Sequence, residues 1–404
     1  MKTYGIISEY NPFHNGHKYH IEKVREAGAT HIVAVMSGNF VQRGDVALID
    51  KFKRAEIAVN NGVDLVLEMP VVYSLCPAEL FSRAGIMMLG SLGCVDGISF
   101  GCENTDVSVL RSAADAAAKA ATPEKVMPLL EQGIPFPAAM QQILSLDAGP
   151  LIAEVFEDPN NTLAAEYIKS MNFLGLDFEI LPIKRTGTAH DSKETNGNFA
   201  SASAIRQMIE DEEDFSYFVP QDTLDAVREY EEKELLCYFD NLGRELIYAI
   251  RKSTPSDIAK TPDVGQGLEN RIYEAGRAAT SVFELLEMIK TKRYTMAHIR
   301  RVLLAFYMGI FASDIMVPPT FGRVLALNGR GAEILAASEE KNKDGANRLA
   351  VPFTADLKEI HSRGNMNAKR FAQLAALSSD LYTLASRKIR PSGYDYTAKI
   401  VKQN

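Results

Sequence analysis

Residues 3–22 constrain the fold of this chain more than any other stretch. They open with the apolar, β-capable run Thr3-Tyr4-Gly5-Ile6-Ile7, whose pattern predicts a buried strand. Asn11-Pro12 ends that strand, because proline gives up a ladder donor and restricts the residue before it. From His17 onward, Ile21, Val24 and Ala27 fall on one face, which predicts a helix. A strand, a tight turn and a helix N-terminus gather free N–H groups and partial positive charge at one point, a ready site for anions. Gly16 has no Cβ, so a phosphate could approach the backbone there. His14 and His17 are three apart and can both donate to phosphate oxygens. Two surface histidines near a turn would look the same in isolation; their place between a first strand and a helix favours the phosphate reading.

The chain then alternates. His31–Met36 reads as a second buried strand, broken by Ser37-Gly38-Asn39. In open α/β sheets, ligands gather at the carboxyl ends of strands, so this loop belongs near the first. In the following Gln42-Arg43-Gly44-Asp45, Arg43 suits either a phosphate or substrate carboxylate, or an ion pair with Asp45. A helix from Lys51 to Asn61, a strand at 64–68, a helix from Ala78 to Leu92 and a strand at 94–100 follow. This order predicts an α/β fold with a Rossmann-like parallel sheet and right-handed crossovers.

Gly101, at a strand end, would let an adenine or ribose approach, though a plain turn glycine reads identically. Asn160 falls at or near the start of another helix, where capping is the simple explanation. Residues 178–183 are expected to form the last strand of the sheet, with Arg185 at its terminus in the same layer as the other loops. Ser201-Ala202-Ser203-Ala204-Ile205-Arg206 places two serines before a helix start and an arginine one turn inside. Either serine could be a simple N-cap; alternatively, Ser203 and Arg206 make a second phosphate site.

Together, Ile7-Ser8-Glu9-Tyr10-Asn11-Pro12-Phe13-His14-Asn15-Gly16-His17-Lys18-Tyr19-His20 and Ser37-Gly38-Asn39-Phe40-Val41-Gln42-Arg43-Gly44 resemble the tRNA(Met) cytidine acetate ligase family of the His-x-Gly-His nucleotidylyltransferases. The resemblance runs from Met1 to about Tyr382 and is densest over the first two hundred or so residues. It implies that residues 7–20, Gly101, Asn160 and Arg185 bind ATP, and that His14, His17, Ser203 and Arg206 are catalytic. It also implies acetate, an acetyl-AMP intermediate, and N4 of the wobble cytidine of elongator tRNA(Met) as acceptor. Two departures stand out. Cys102 occupies a position where the family has serine, and Ala189 precedes the His190-Asp191 pair where an aromatic residue is usual.

An acidic run at 210–214 suggests a boundary, giving an ATP-binding catalytic domain over 1–215 and a mostly helical, tRNA-binding domain over 216–404. The formal net charge of −8 argues against a generic nucleic-acid coat but leaves room for a local basic surface. Lys290, Lys292, Arg293, Arg300 and Arg301 crowd into twelve positions with Tyr294 among them, and are expected to meet RNA away from the ATP site. Lys290 and Arg293 would lie one helical turn apart, and Arg293 and Arg300 two. An unselective basic face is the competing explanation.

The four cysteines form no Cys-x-x-Cys pair, so neither a zinc ribbon nor a disulfide framework is indicated. No carboxylate cluster stands out, so any Mg²⁺ is expected to arrive with ATP. No secretory signal opens the chain and no apolar run reaches membrane-spanning length, which points to the cytoplasm, with no membrane or DNA partner. A small-molecule nucleotidylyltransferase would share both phosphate motifs but would not need the long helical half. A non-catalytic RNA-binding protein with a relic ATP site would not need to keep His14, Gly16, His17 and Arg206 intact.

Overall fold

The computed structural model describes residues 1–185, 197–265 and 267–403. Ten strands are assigned in it: β1 Thr3–Ser8, β2 His31–Ser37, β3 Phe40–Val41, β4 Asp45–Val46, β5 Leu65–Met69, β6 Gly97–Cys102, β7 Glu179–Lys184, β8 Gly322–Leu327, β9 Phe353–Thr354 and β10 Val401–Lys402. Eight of these form one sheet in the order β10-β8-β5-β2-β1-β6-β7, with β9 beside β8. The pairs from β5 to β7 are all parallel, and β8 runs antiparallel to β5.

The expected α/β alternation is present, and its logic is visible in burial. β2 and β5 are buried at every residue, as a strand covered by helices on both faces must be. The chain steps outward from β1 through β2 to β5, then returns to place β6 on the other flank of β1. That reversal opens a crevice above the carboxyl ends of β1 and β6, where such sheets take their ligands.

The second half is mostly helical, as expected, but it also returns strands to the sheet. Residues 178–183 do not form the last strand of the sheet, because β8, β9 and β10 join it from beyond residue 320. These strands are short, and the sequence around them reads as helix-rich; what fixes β8 is pairing with β5, a contact between residues far apart in the chain. Four charged side chains secure this return. Lys51 Nζ lies 2.6 Å from Glu68 Oε1 and 2.8 Å from Asp395 Oδ2, and Arg323 Nη1 lies 2.8 Å from the same Asp395 oxygen. All four are buried, so each depends on the others. Removing one partner from such a group typically costs about 3–5 kcal/mol.

Candidate active site

A cavity of about 560 Å³ sits over the carboxyl ends of β1 and β6. It is lined by Ile7, Ser8, Glu9, Tyr10, Asn11, His14, Gly16, His17, Tyr19 and His20 from the opening motif. Gly101, Asn160, Arg185, Ser203 and Arg206 line it as well. Residues separated by almost two hundred positions thus meet in one place. Pro12, Phe13, Asn15 and Lys18, from the same motif, do not line it. Phe13 is fully buried beneath it, and Asn15 Nδ2 donates to the carbonyls of Asn198 and Tyr217, fastening the helix start to the later loop. The segment with Ala189, His190 and Asp191 lies outside the described residues.

The two histidines of the motif cap their own helix, Asn15–Glu26. Gly16 N–H donates to His14 Nδ1 at 3.0 Å, and His14 N–H donates to His17 Nδ1 at 3.2 Å. The rings stack with centroids 3.6 Å apart. Because each Nδ1 accepts from a backbone N–H, each neutral ring carries its proton on Nε2. Burial, then the neighbouring His14, holds His17 well below the ordinary imidazole range. His17 keeps a little surface on the cavity but is surrounded by protein elsewhere, which is why desolvation dominates. A neutral imidazole can donate Nε2–H to a phosphate oxygen without first binding a proton. Gly16 has a structural reason as well as the expected one, since a Cβ there would fall 2.9 Å from the His14 ring.

His20 is fixed in turn by Ser99. Ser99 Oγ donates to the carbonyl of Leu181 and accepts from His20 Nε2, both at 2.8 Å. Burial, with Arg185 nearby, lowers His20 to about 4.

The capping question at Ser201 and Ser203 resolves. Ser201 is the cap, accepting Ala204 N–H at 3.1 Å at the start of helix Ala202–Glu210. Ser203, the second residue of that helix, hydrogen-bonds Ser201 at 3.0 Å and lines the cavity. Arg206 Nη1 donates to the carbonyl of Asn11 at 2.7 Å, joining the two motifs directly.

Asn160 is not a cap: Asp158 precedes helix Pro159–Leu174, and Asn160 Nδ2 donates to Glu103 Oε1 at 2.8 Å. The same Glu103 oxygen is 3.4 Å from Arg185 Nε. A Cβ on Gly101 would approach nothing nearer than Arg185 Cγ, at an ordinary 3.4 Å. The fold itself therefore does not require glycine there. Cys102 lies below the cavity, donates to the carbonyl of Asn104, and is pushed up to about 12, first by burial and then by Glu103. It is an inert core thiol.

Sequence reasoning missed Arg54 and Asn161. Arg54 is wholly buried in the helix Lys51–Asn60. Its guanidinium donates to the carbonyls of Ile49, Glu9, Ser37 and Gly38, clamping the ends of β1 and β2. Its position on a helix face otherwise rich in small apolar residues was the available signal. Asn161 Oδ1 accepts from the N–H groups of Glu103 and Asn104, holding the loop after β6.

The basic segment does not stay together. Helix Met296–Tyr307 begins only at Met296, so Lys290, Lys292 and Arg293 precede it and share no helical face. Lys290 and Lys292 are exposed. Arg293 stands 5.7 Å from the Tyr294 ring, which also stacks on His298. Arg300 and Arg301 turn the other way. Arg301 Nη1 donates to the carbonyl of Gln42, and Arg300 Nη1 lies 3.9 Å from Asp45 Oδ2. The expectation that all five cations lie away from the ATP site is therefore corrected for these two, because the helix packs against the Gln42–Asp45 loop.

Among the described residues, no helix is long and apolar enough to cross a membrane, and no cluster of three His, Cys, Asp or Glu could hold a metal ion.

Comparison with known proteins converges. The family model of the HIGH Nucleotidyl Transferases matches residues 1–395. The tRNA(Met) cytidine acetate ligase of Thermoanaerobacter sp. (strain X514) is 34% identical over 414 residues, covering all of both chains. That of Acetivibrio thermocellus is 31% identical over 422 residues, covering 99% of this chain and 100% of the other. Among solved structures, apo Thermotoga maritima TmcAL superposes with a TM-score of 0.89 at 28% identity, covering 100% of both chains. The same protein bound with alpha-thio ATP gives 0.88 at 28% identity, covering 100% of this chain and 99% of that one.

Proposed function

This chain belongs to the tRNA(Met) cytidine acetate ligase family, and from that premise we propose how its own residues divide the work. It is an ATP-dependent ligase. Acetate and ATP give acetyl-AMP and pyrophosphate; the acetyl group then passes to N4 of the wobble cytidine of elongator tRNA(Met), giving N4-acetylcytidine and AMP.

In the first step an acetate oxygen attacks the α-phosphorus and the bond to the bridging β-oxygen breaks. Charge grows on the α-phosphoryl oxygens and on departing pyrophosphate, so preorganised donors matter most there. The Nε2–H groups of His14 and His17 serve the α-phosphate. Ser203 and Arg206 serve the leaving pyrophosphate. Gly101 leaves room for the nucleoside, with Asn160 and Arg185 held beside it by Glu103. Any Mg²⁺ would arrive with ATP, bound to its phosphates. In the second step N4 attacks the acetyl carbonyl, the C–O bond to AMP breaks, and N4 loses a proton. A wobble base lies in an anticodon loop, where bases can be splayed for a protein to reach.

Residues 1–215 hold every residue assigned to ATP, and residues 216–404 supply the exposed cations Lys290, Lys292 and half-buried Arg293 for RNA phosphates. With ATP, RNA and acetate as substrates, the protein works in the cytoplasm. The observation carrying this reading is the meeting of His14, His17, Ser203 and Arg206 around one cavity. Acetate-dependent ATP–pyrophosphate exchange tests it. A small-molecule nucleotidylyltransferase would exchange without acetate, given its own phosphorylated substrate, and would ignore tRNA.

A further inference from the structure

The helix Met296–Tyr307 is seated on the loop that carries Gln42 and Arg43 into the nucleotide cavity. Gly44 lies at the contact with φ of +74°, a conformation that suits glycine. A Cβ there would come within 2.7 Å of Arg300 Cβ and the Arg301 nitrogen, and 2.8 Å of the Ala297 carbonyl oxygen. Loop and helix thus touch with no space for a side chain between them.

Arg300 is held from both sides. Its guanidinium carbon is 4.5 Å from the centroid of the Phe239 ring, and its Nη1 is 3.9 Å from Asp45 Oδ2. The same Asp45 oxygen lies 3.9 Å from Arg206 Nη2. One carboxylate is therefore shared between the arginine of the second phosphate motif and an arginine from the far half of the chain.

We infer that Arg300 is a positioning residue for adenylation: by sharing Asp45, it keeps Arg206 directed at the leaving pyrophosphate. The inference rests on the reading of Arg206 given above. Without Arg300, Asp45 would lose one of its arginine neighbours and lean further on Arg206, drawing that guanidinium aside and offsetting more of the charge it presents to phosphate. Removing the Arg300 cation takes one positive charge from the neighbourhood of Arg206 and Asp45.

The test is acetate-dependent ATP–pyrophosphate exchange with Arg300→Ala, Arg300→Lys, Arg206→Ala and the double alanine variant, alongside tRNA binding by filter retention. Arg300→Ala should raise the KM for pyrophosphate and slow exchange about tenfold, while tRNA affinity stays within twofold. Arg300→Lys should recover most of the loss. In the Arg206→Ala background, Arg300→Ala should add nothing, since coupled residues are non-additive. Two results would overturn the inference: full exchange with weakened tRNA binding, which would make Arg300 an RNA contact, or additive losses in the double variant, which would make it a general structural residue. A wild-type enzyme without acetate-dependent exchange would remove the functional reading itself, and this inference with it; that failure shows in the wild type and not in the variants.

Discussion

The opening motif and the basic segment are both short, both marked by side-chain type, and both conspicuous in the sequence, yet they behave differently in three dimensions. His14 and His17 are locked by their own helix N-terminus: one backbone N–H fixes each ring, and each ring fixes part of the turn. A local hydrogen-bond pattern decides where these side chains go, so proximity in sequence carries over to proximity in space. The basic segment has no such local constraint. Thr295 caps a helix in its middle, which leaves Lys290, Lys292 and Arg293 before the helix and sends Arg300 and Arg301 inward against Gln42 and Asp45. Counting charges located a basic segment; only the packing partners show that its two ends face different neighbours.

The largest effect that would break or sharpen this contrast belongs to Arg206. Arg206→Ala should slow acetyl-adenylate formation by on the order of 10²–10³, the usual consequence of losing one preorganised donor. Transfer from pre-made acetyl-AMP to tRNA should be much less affected. Equal loss in both half-reactions would make Arg206 structural or tRNA-facing.

Acid should affect the two regions unequally as well. His20 is lowered to about 4, below the ordinary 6.5, so the unfolded chain binds its proton first. Stability therefore falls as pH drops from about 6.5 toward 4, by on the order of 2–3 kcal/mol for this one group. His20→Gln should flatten that part of a urea-midpoint profile against pH, and an unchanged slope would show that His20 is not held neutral.

The exposed cations should show a smaller and purely electrostatic effect. Lys292→Glu with Arg293→Glu should weaken tRNA binding by roughly tenfold or more and make the salt slope shallower by about 1–2. Acetate-dependent exchange should survive in this pair, in contrast to Arg300→Ala. Unchanged tRNA affinity would mean that RNA docks elsewhere. The smallest expected effect is at Gly101. Gly101→Ala meets no clash within the fold, so the melting temperature should hold while the KM for ATP rises several-fold. An unchanged KM would return Gly101 to the plain turn reading.

Much of the N-terminal sheet was legible because it is built from local signals: apolar strands of four to seven residues, glycine and proline punctuation, and helices with one apolar face. The candidate residues His14, His17 and Ser203 stood out in the sequence for the same reason, each at a helix start, with Arg206 one turn inside its helix. What escaped was non-local. β8 becomes a strand through its pairing with β5, and the Lys51, Glu68, Arg323 and Asp395 cluster joins parts of the chain with no shared pattern. Capping was the simple explanation for Asn160 because asparagine suits caps; its partner, Glu103, lies on another loop that only the fold brings near. Arg54 looked like any helix arginine until its four carbonyl partners came together beneath the motif.

The central claim is that the His14–His17 turn drives acetate activation, and His17→Ala tests it most directly. Acetate-dependent ATP–pyrophosphate exchange should be robust in the wild type and fall by on the order of 10²–10³ in a folded His17→Ala protein. Near-normal exchange in that variant, or wild-type exchange indifferent to acetate, would contradict the account.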